Sequence, residues 1–176
     1  QADGLTHSSI WCIVKDNQGT LWLGTYFGGV NYFNPEYEIY TRYSYSSNEK
    51  KGLSNPVVGR TIEDKDGNLW IGTEGGGLNY YNRRTREFKW YRPQEGRNSI
   101  SHNNVKALYY DADKEIIWIG THLGGLNKLD IRSGHFTHYR MEEGNPNTLP
   151  SDIIRDIIPY KSLLIIATQN GVCLFD

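Results

Sequence analysis

Apolar residues gather along this chain in short runs separated by Gly, Asn and Asp, and the runs return in the same order about every 48 residues. The firmest landmark is Leu21-Trp22-Leu23-Gly24-Thr25, which comes back as Leu69-Trp70-Ile71-Gly72-Thr73 and as Ile117-Trp118-Ile119-Gly120-Thr121. A fourth copy, Leu164-Ile165-Ile166-Ala167-Thr168, lacks the Trp and the Gly. Self-similarity at a fixed period marks one supersecondary unit written several times. Function is therefore to be sought where the copies differ.

The register holds well beyond the tryptophans. Leu5, Leu53, Ile100 and Leu149 open the units, and Ile10, Val58, Val105 and Ile154 follow them at a constant offset. Asp16, Asp64 and Asp111 come next, with Tyr160 in the fourth copy. Each is followed by a turn. Asn17-Gln18-Gly19 and Lys65-Asp66-Gly67 place Gly where a tight hairpin needs positive φ, whereas Ala112-Asp113-Lys114-Glu115 predicts a looser loop. Beyond the Trp segment, Gly28-Gly29, Gly76-Gly77 and Gly124-Gly125 introduce third strands at 30–33, 78–81 and 126–129, with 172–175 in the last copy. Fourth strands fall at 40–43, 88–91 and 136–139.

Four short strands per unit, divided by turn residues, predict an all-β chain of propeller blades with four antiparallel strands each. The units run 5–52, 53–99, 100–148 and 149–176, the last an incomplete blade. About four blades are expected, as a fragment of a larger propeller. No apolar series keeps a 3.6-residue period long enough to compete as a helix. Consecutive apolar residues at Ile153-Ile154 and Leu163-Leu164-Ile165-Ile166 suit strands covered on both faces. The strict period of the three Trp residues favours burial between blades over a sugar-binding platform.

The segment from Asp64 to Asn82 closely resembles the two-component regulator propeller repeat, Asp-x-x-Gly-x-Leu-Trp-Ile-Gly-Thr followed by Gly-Gly-Leu and an Asn or Asp after an aromatic residue. The likeness recurs in register across residues 5 to 176. It implies a periplasmic sensor region of a hybrid two-component histidine kinase of the Bacteroidetes type, where such propellers sense oligosaccharides. It implies no particular binding residues, because the shared positions are framework ones. The kinase would lie outside these residues.

Composition narrows the alternatives. With 19 Lys and Arg against 20 Asp and Glu, the chain lacks the basic excess of a nucleic-acid surface. No apolar run approaches the ~20 residues that span a bilayer, so no membrane contact is expected. The opening Gln1-Ala2-Asp3-Gly4 enters the first unit directly, with no signal peptide, which suggests a processed or excised piece. Cys12 and Cys173 fall among apolar strand residues and are expected to be buried free thiols.

Catalytic chemistry is sparse. His7, His102, His122, His135 and His138 do not form the close pair with a third ligand that a metal site needs, so no metal or cofactor is expected. Gly75-Gly76-Gly77 is not followed by the Lys and helix of a phosphate loop. Glu142-Glu143, and Asp111 with Asp113, read as solubilising loop carboxylates. In a propeller, the start of the inner strand and the loop between strands two and three meet at one mouth of the channel. The first place holds His7, Ser8, Asn55, His102, Asn103, Ser151 and Asp152; the second holds Tyr26, Phe27, Glu74, His122, Leu123, Gln169 and Asn170. Tyr26, Phe27, Glu74, His102 and His122 are the candidate ligand-binding residues, since hydroxyl partners and flat apolar rings suit a carbohydrate. Against this, His, Asn and Ser before a strand often cap turns with their own side chains. Arg60, Lys106 and Arg155 on the inner strands would favour an acidic sugar. The expected partners are an oligosaccharide and either further blades or a second copy that closes the ring. A propeller lyase or hydrolase and a protein-interaction scaffold stay open as alternatives.

Overall fold

The computed structural model describes residues 4–36 and 39–176. Among these residues, fifteen strands form four antiparallel sheets, each a meander in chain order. Blade one holds β1 (Ile10–Lys15), β2 (Leu21–Thr25), β3 (Val30–Asn34) and β4 (Ile39–Tyr43). Blade two holds β5 (Val58–Glu63), β6 (Leu69–Thr73), β7 (Leu78–Asn82) and β8 (Glu87–Tyr91). Blade three holds β9 (Val105–Asp111), β10 (Ile116–Thr121), β11 (Leu126–Asp130) and β12 (Phe136–Tyr139). Blade four has three strands, β13 (Ile154–Tyr160), β14 (Leu163–Thr168) and β15 (Gly171–Phe175). Among the described residues the helical content is a single 3-10 turn at Glu49–Lys51.

The blades stack through three apolar layers. Trp22, Trp70 and Trp118 are 3%, 1% and 8% exposed, each turned toward the next blade. Trp22 packs with Leu69, Ile71, Tyr81 and Phe88 of blade two, and Trp70 shares a layer with Ile117, Leu129 and Phe136 of blade three. The glycine two residues past each Trp keeps the sheets close: a Cβ on Gly24 would lie 2.7 Å from Val58 Cγ1, and one on Gly72 2.6 Å from Val105 Cγ1. Backbone bonds stitch the same seams, from Gly29 N to Pro56 O, Gly77 N to Asn103 O and Gly125 N to Asp152 O.

The repeat asparagines are ties as well. Asn31, Asn79 and Asn127 on the third strands are all buried and bond to Thr6, Ser54 and Ser101, fixing the segment that leads into each inner strand. The hairpin Asp is a hub in the first two blades. Asp64 accepts from Asp66 N, Asn68 N and the Trp70 indole, and Asp16 does the same with Gln18, Thr20 and Trp22. In blade three Asp111 caps Lys114 N instead, and Glu115 takes φ 55° where the shorter hairpins use Gly.

Two expectations change. The apolar strands of blade four are covered on one face only: Leu164 and Ile166 are buried against blade three, while Ile158, Val172 and Leu174 on the other face are exposed. Blade one mirrors this, with Trp11, Ile13 and Tyr40 exposed on the side away from blade two. For the same reason Leu5 is exposed, whereas Leu53, Ile100 and Leu149 each fill a seam. Cys12 and Cys173 are free but only partly buried, Cys12 touching Thr61 across the first seam and Cys173 facing blade three. Burial pushes both thiols up, so neither is an activated nucleophile.

Candidate functional site

Each inner strand carries an irregularity near its start, where one residue is extra relative to the second strand. Ile10 pairs with Thr25 and Cys12 with Gly24, leaving Trp11 unpaired; Gly59, Lys106 and Arg155 occupy the same place in the other blades. A bulge of this kind re-aims the side chain of its extra residue. Here these residues meet the loop between strands two and three. Trp11 stacks on Tyr26, Arg155 donates to Gln169 Oε1 at 3.1 Å, and the Lys106 ammonium pairs with Glu74 of the preceding blade. Gly59 leaves that place in blade two without a side chain.

The mouth therefore divides by blade. In blade one, Tyr26 is the centre of an aromatic group: Trp11 lies stacked at 4.9 Å between centroids, Phe27 meets it edge-on at 4.5 Å, and His7 edge-on at 5.9 Å. Trp11, Tyr26 and Phe27 are 43%, 38% and 60% exposed. Phe27 holds φ 67°, a conformation costly for a bulky side chain, and Leu123 at the matching position in blade three holds φ 75°. Both present a large apolar side chain to solvent from the loop tip.

Glu74 forms a different group, bridging blades two and three through Lys106. His102 and His122 are neighbours in blade three. His102 Nδ1 accepts from Asn104 N at 3.0 Å, so the neutral ring carries its proton on Nε2. Burial, together with the His122 ring and Arg140 nearby, lowers the His102 pKa and keeps that neutral form. His122 Nδ1 is buried without a partner. Among the described residues, no hydrogen bond, ion pair or ring contact joins the Tyr26 group to Glu74, His102 or His122.

Several mouth residues are turn caps. His7 Nδ1 accepts from Ser9 N, Asn55 Oδ1 from Val57 N and Ser151 Oγ from Ile153 N, the same two-residue reach that His102 makes. Asp152 binds Arg140 and Met141 N. Arg60 spans from blade two to Asp156 of blade four at 3.0 Å, so its charge is already met within the channel. His138 bonds to Ser99 O on the outer rim, and His135 precedes its strand in an exposed turn. The described residues hold no cluster of His, Cys, Asp and Glu able to bind a metal ion. Trp11 is the mouth residue that a reading by repeat position passes over, because a bulge shifts the register by one.

Three stretches of the chain, residues 4–27, 52–75 and 99–122, match the model of the two component regulator propeller. The structure is similar to the extracellular domain of the putative hybrid two component system BT3049 from B. thetaiotaomicron, with a TM-score of 0.81 and 26% identity over 99% of this chain and 25% of that one. It is also similar to the extracellular domain of the putative one component system BT4673 from B. thetaiotaomicron, at a TM-score of 0.79 and 22% identity over 99% of this chain and 22% of that one. The chain thus spans about a quarter of the length of these two structures. A streptogramin B lyase shares the fold at a TM-score of 0.67 and 14% identity, over 97% of this chain and 55% of that one. No curated protein matches the sequence at a significant level. Among the described residues no helix is long and apolar enough to cross a membrane.

Proposed function

From the match of residues 4–27, 52–75 and 99–122 to the two component regulator propeller repeat, we propose that the chain is part of a periplasmic sensor module that recognises an oligosaccharide and passes the signal to a histidine kinase elsewhere in the signalling protein. The observation that carries this reading is the exposed aromatic platform of Trp11, Tyr26 and Phe27. Flat rings held at a channel mouth offer a sugar ring an apolar face, while the His7 side chain beside Tyr26 supplies a directional polar atom. The ring geometry is fixed before any ligand arrives, because Trp11 is set by a bulge and Phe27 by a tight loop. Preorganisation of this kind lowers the entropic cost of binding.

An enzymatic role finds less support. A lyase or hydrolase would need a general acid or base close to a second reactive group, and Glu74 is engaged by Lys106 while, among the described residues, His102 and His122 have no carboxylate within bonding distance. A pure scaffold would need no exposed aromatic platform at the mouth. The test is a screen of the 176-residue chain against an oligosaccharide library, run beside Trp11→Ala and with product analysis of the same samples. Binding that Trp11→Ala abolishes, without turnover, is expected. Turnover of a bound sugar overturns the sensor reading, and binding that Trp11→Ala leaves intact moves the site away from this mouth.

The two uncovered blade faces complete the proposal. In each seam the Trp face of one blade meets the Leu, Ile and aromatic face of the next, so the outer faces of blades one and four are seats for further blades of the same kind. For the isolated chain in solution, a second copy is the source of such a blade.

A further inference from the structure

The hairpin ends of the first seam, on the face of the blades opposite the mouth, enclose a cavity of about 310 Å³. Its walls include Trp22, Tyr32, Tyr43, Tyr81, Arg83 and Arg86. The corresponding positions in the second seam carry different side chains: Leu129 stands where Tyr81 does, Gly134 where Arg86 does, and Ile131, in place of Arg83, packs onto the apolar layer around Trp70. The polar lining of this cavity is thus a departure of one copy from the shared frame.

Several of its donors lack a side-chain or backbone acceptor among the described residues. Tyr43 and Tyr81 hydroxyls lie 2.6 Å apart, so one donates to the other and the second proton has no acceptor among the described residues. Arg83 is tied to Asp16 Oδ2 at 2.7 Å and to Gln18 Oε1 at 3.0 Å, yet its Nε–H is buried with no partner. Among the described residues Arg86 makes no ion pair, and it is held at the rim by φ 59° and a backbone bond to Asn82 O. Asp16 neutralises Arg83 and leaves Arg86 as the uncompensated cation of the cavity wall. An occupant that matches these groups presents acceptors and one negative charge, along with a body flat enough to lie against Tyr32 and Tyr43. A volume near the lower end of ligand pockets admits one ring rather than a chain.

We propose that this cavity binds a sugar acid, a single pyranose ring bearing a carboxylate, with Arg86 facing the carboxylate and the paired tyrosine hydroxyls facing ring oxygens. An arginine is suited to the task because its planar donors match a carboxylate in geometry as well as charge. This site is separate from the mouth and does not rest on the sensor reading made there.

The test titrates galacturonate and glucuronate, with galactose and glucose as neutral counterparts, into the full chain by calorimetry. Saturable binding of at least one acid is expected, with its neutral counterpart weaker by about tenfold or more, in line with loss of a charge-assisted bond. Arg86→Asn retains a residue tolerant of the left-handed backbone at an exposed position, so it folds and weakens the acid by a similar factor. Trp11→Ala leaves acid binding unchanged. The proposal is overturned if neither acid binds, if acid and neutral sugar bind equally, if Arg86→Asn has no effect, or if Trp11→Ala removes the binding and so places it at the mouth.

Discussion

Asp16 accepts the indole N–H of Trp22 at 2.8 Å and, on the same carboxylate oxygen, the Arg83 guanidinium of the next blade at 2.7 Å. One buried carboxylate thus closes a hairpin, fixes the framework Trp and ties two blades. Burial opposes its ionisation, but bonds from Trp22, the Thr20 and Gln18 amides and the Arg83 charge outweigh that and hold its pKa below the usual carboxylate range. A carboxylate depressed on folding stabilises the native state above its unfolded pKa of about 3.9, and that contribution disappears as pH falls through the lower folded value. Urea melts from pH 7 to pH 3 are therefore expected to show a steeper acid loss of stability for the native chain than for Asp16→Asn. Equal slopes in the two proteins would remove Asp16 from this role.

Replacing Trp70 with Ala is expected to cost roughly 3 to 5 kcal/mol, the range for large aromatic truncations in cores. The residue is almost wholly buried and its indole also satisfies Asp64. A loss below about 1 kcal/mol in denaturant melts would contradict a framework role.

The seam glycines give a sharper test of blade spacing. Gly72→Ala places a methyl group 2.6 Å from Val105 Cγ1 and 3.0 Å from its Cβ, both on the neighbouring inner strand. The blades must separate or Val105 must leave its rotamer, at a cost of about 1 to 3 kcal/mol. Gly72→Ala combined with Val105→Ala is expected to recover part of the loss, read as a positive coupling in a double-mutant cycle.

At the mouth, single Ala variants of Trp11, Tyr26, Phe27, Glu74, His102 and His122 separate recognition from folding. Trp11, Tyr26 and Phe27 project into solvent, so their variants are expected to keep the native melting temperature while losing the oligosaccharide found in the library screen. The Glu74 and His102 variants are expected to show smaller binding effects, because Glu74 is engaged by Lys106 and His102 spends one nitrogen on its turn. Unchanged affinity across all six would relocate the site.

The exposed Ile13, Ile158, Val172 and Leu174 lead to a prediction about assembly. The isolated chain is expected to associate head to tail, giving about eight blades in a closed two-fold ring, because heterologous contacts that close form rings. A stable contact of this kind buries more than ~1,000 Å². Light scattering at micromolar concentration that finds a monomer with both outer blades ordered would reject it. Val172→Glu with Leu174→Lys is expected to shift an associated chain toward monomer.

The strands, their order within each blade and the three framework tryptophans were legible in the sequence, because they follow from signals that act over a few residues. Gly at hairpins, Asp five positions before the indole strand, and alternation of buried side chains all act within one meander, and repetition in register supports each by the others. Tertiary structure decided what depends on contact between blades. Arg83 meets Asp16 only because the packing of blade two on blade one brings together residues 67 apart in sequence. Trp11 joins the mouth only because a bulge, invisible to a period-two pattern, moves it out of register with Cys12. The histidines illustrate the same limit from the other side: a residue type suited to a ligand looks identical in sequence whether it faces the channel or caps a turn. His7 and His102 each cap one, and that choice rests on the local backbone path rather than on the side chain's chemistry.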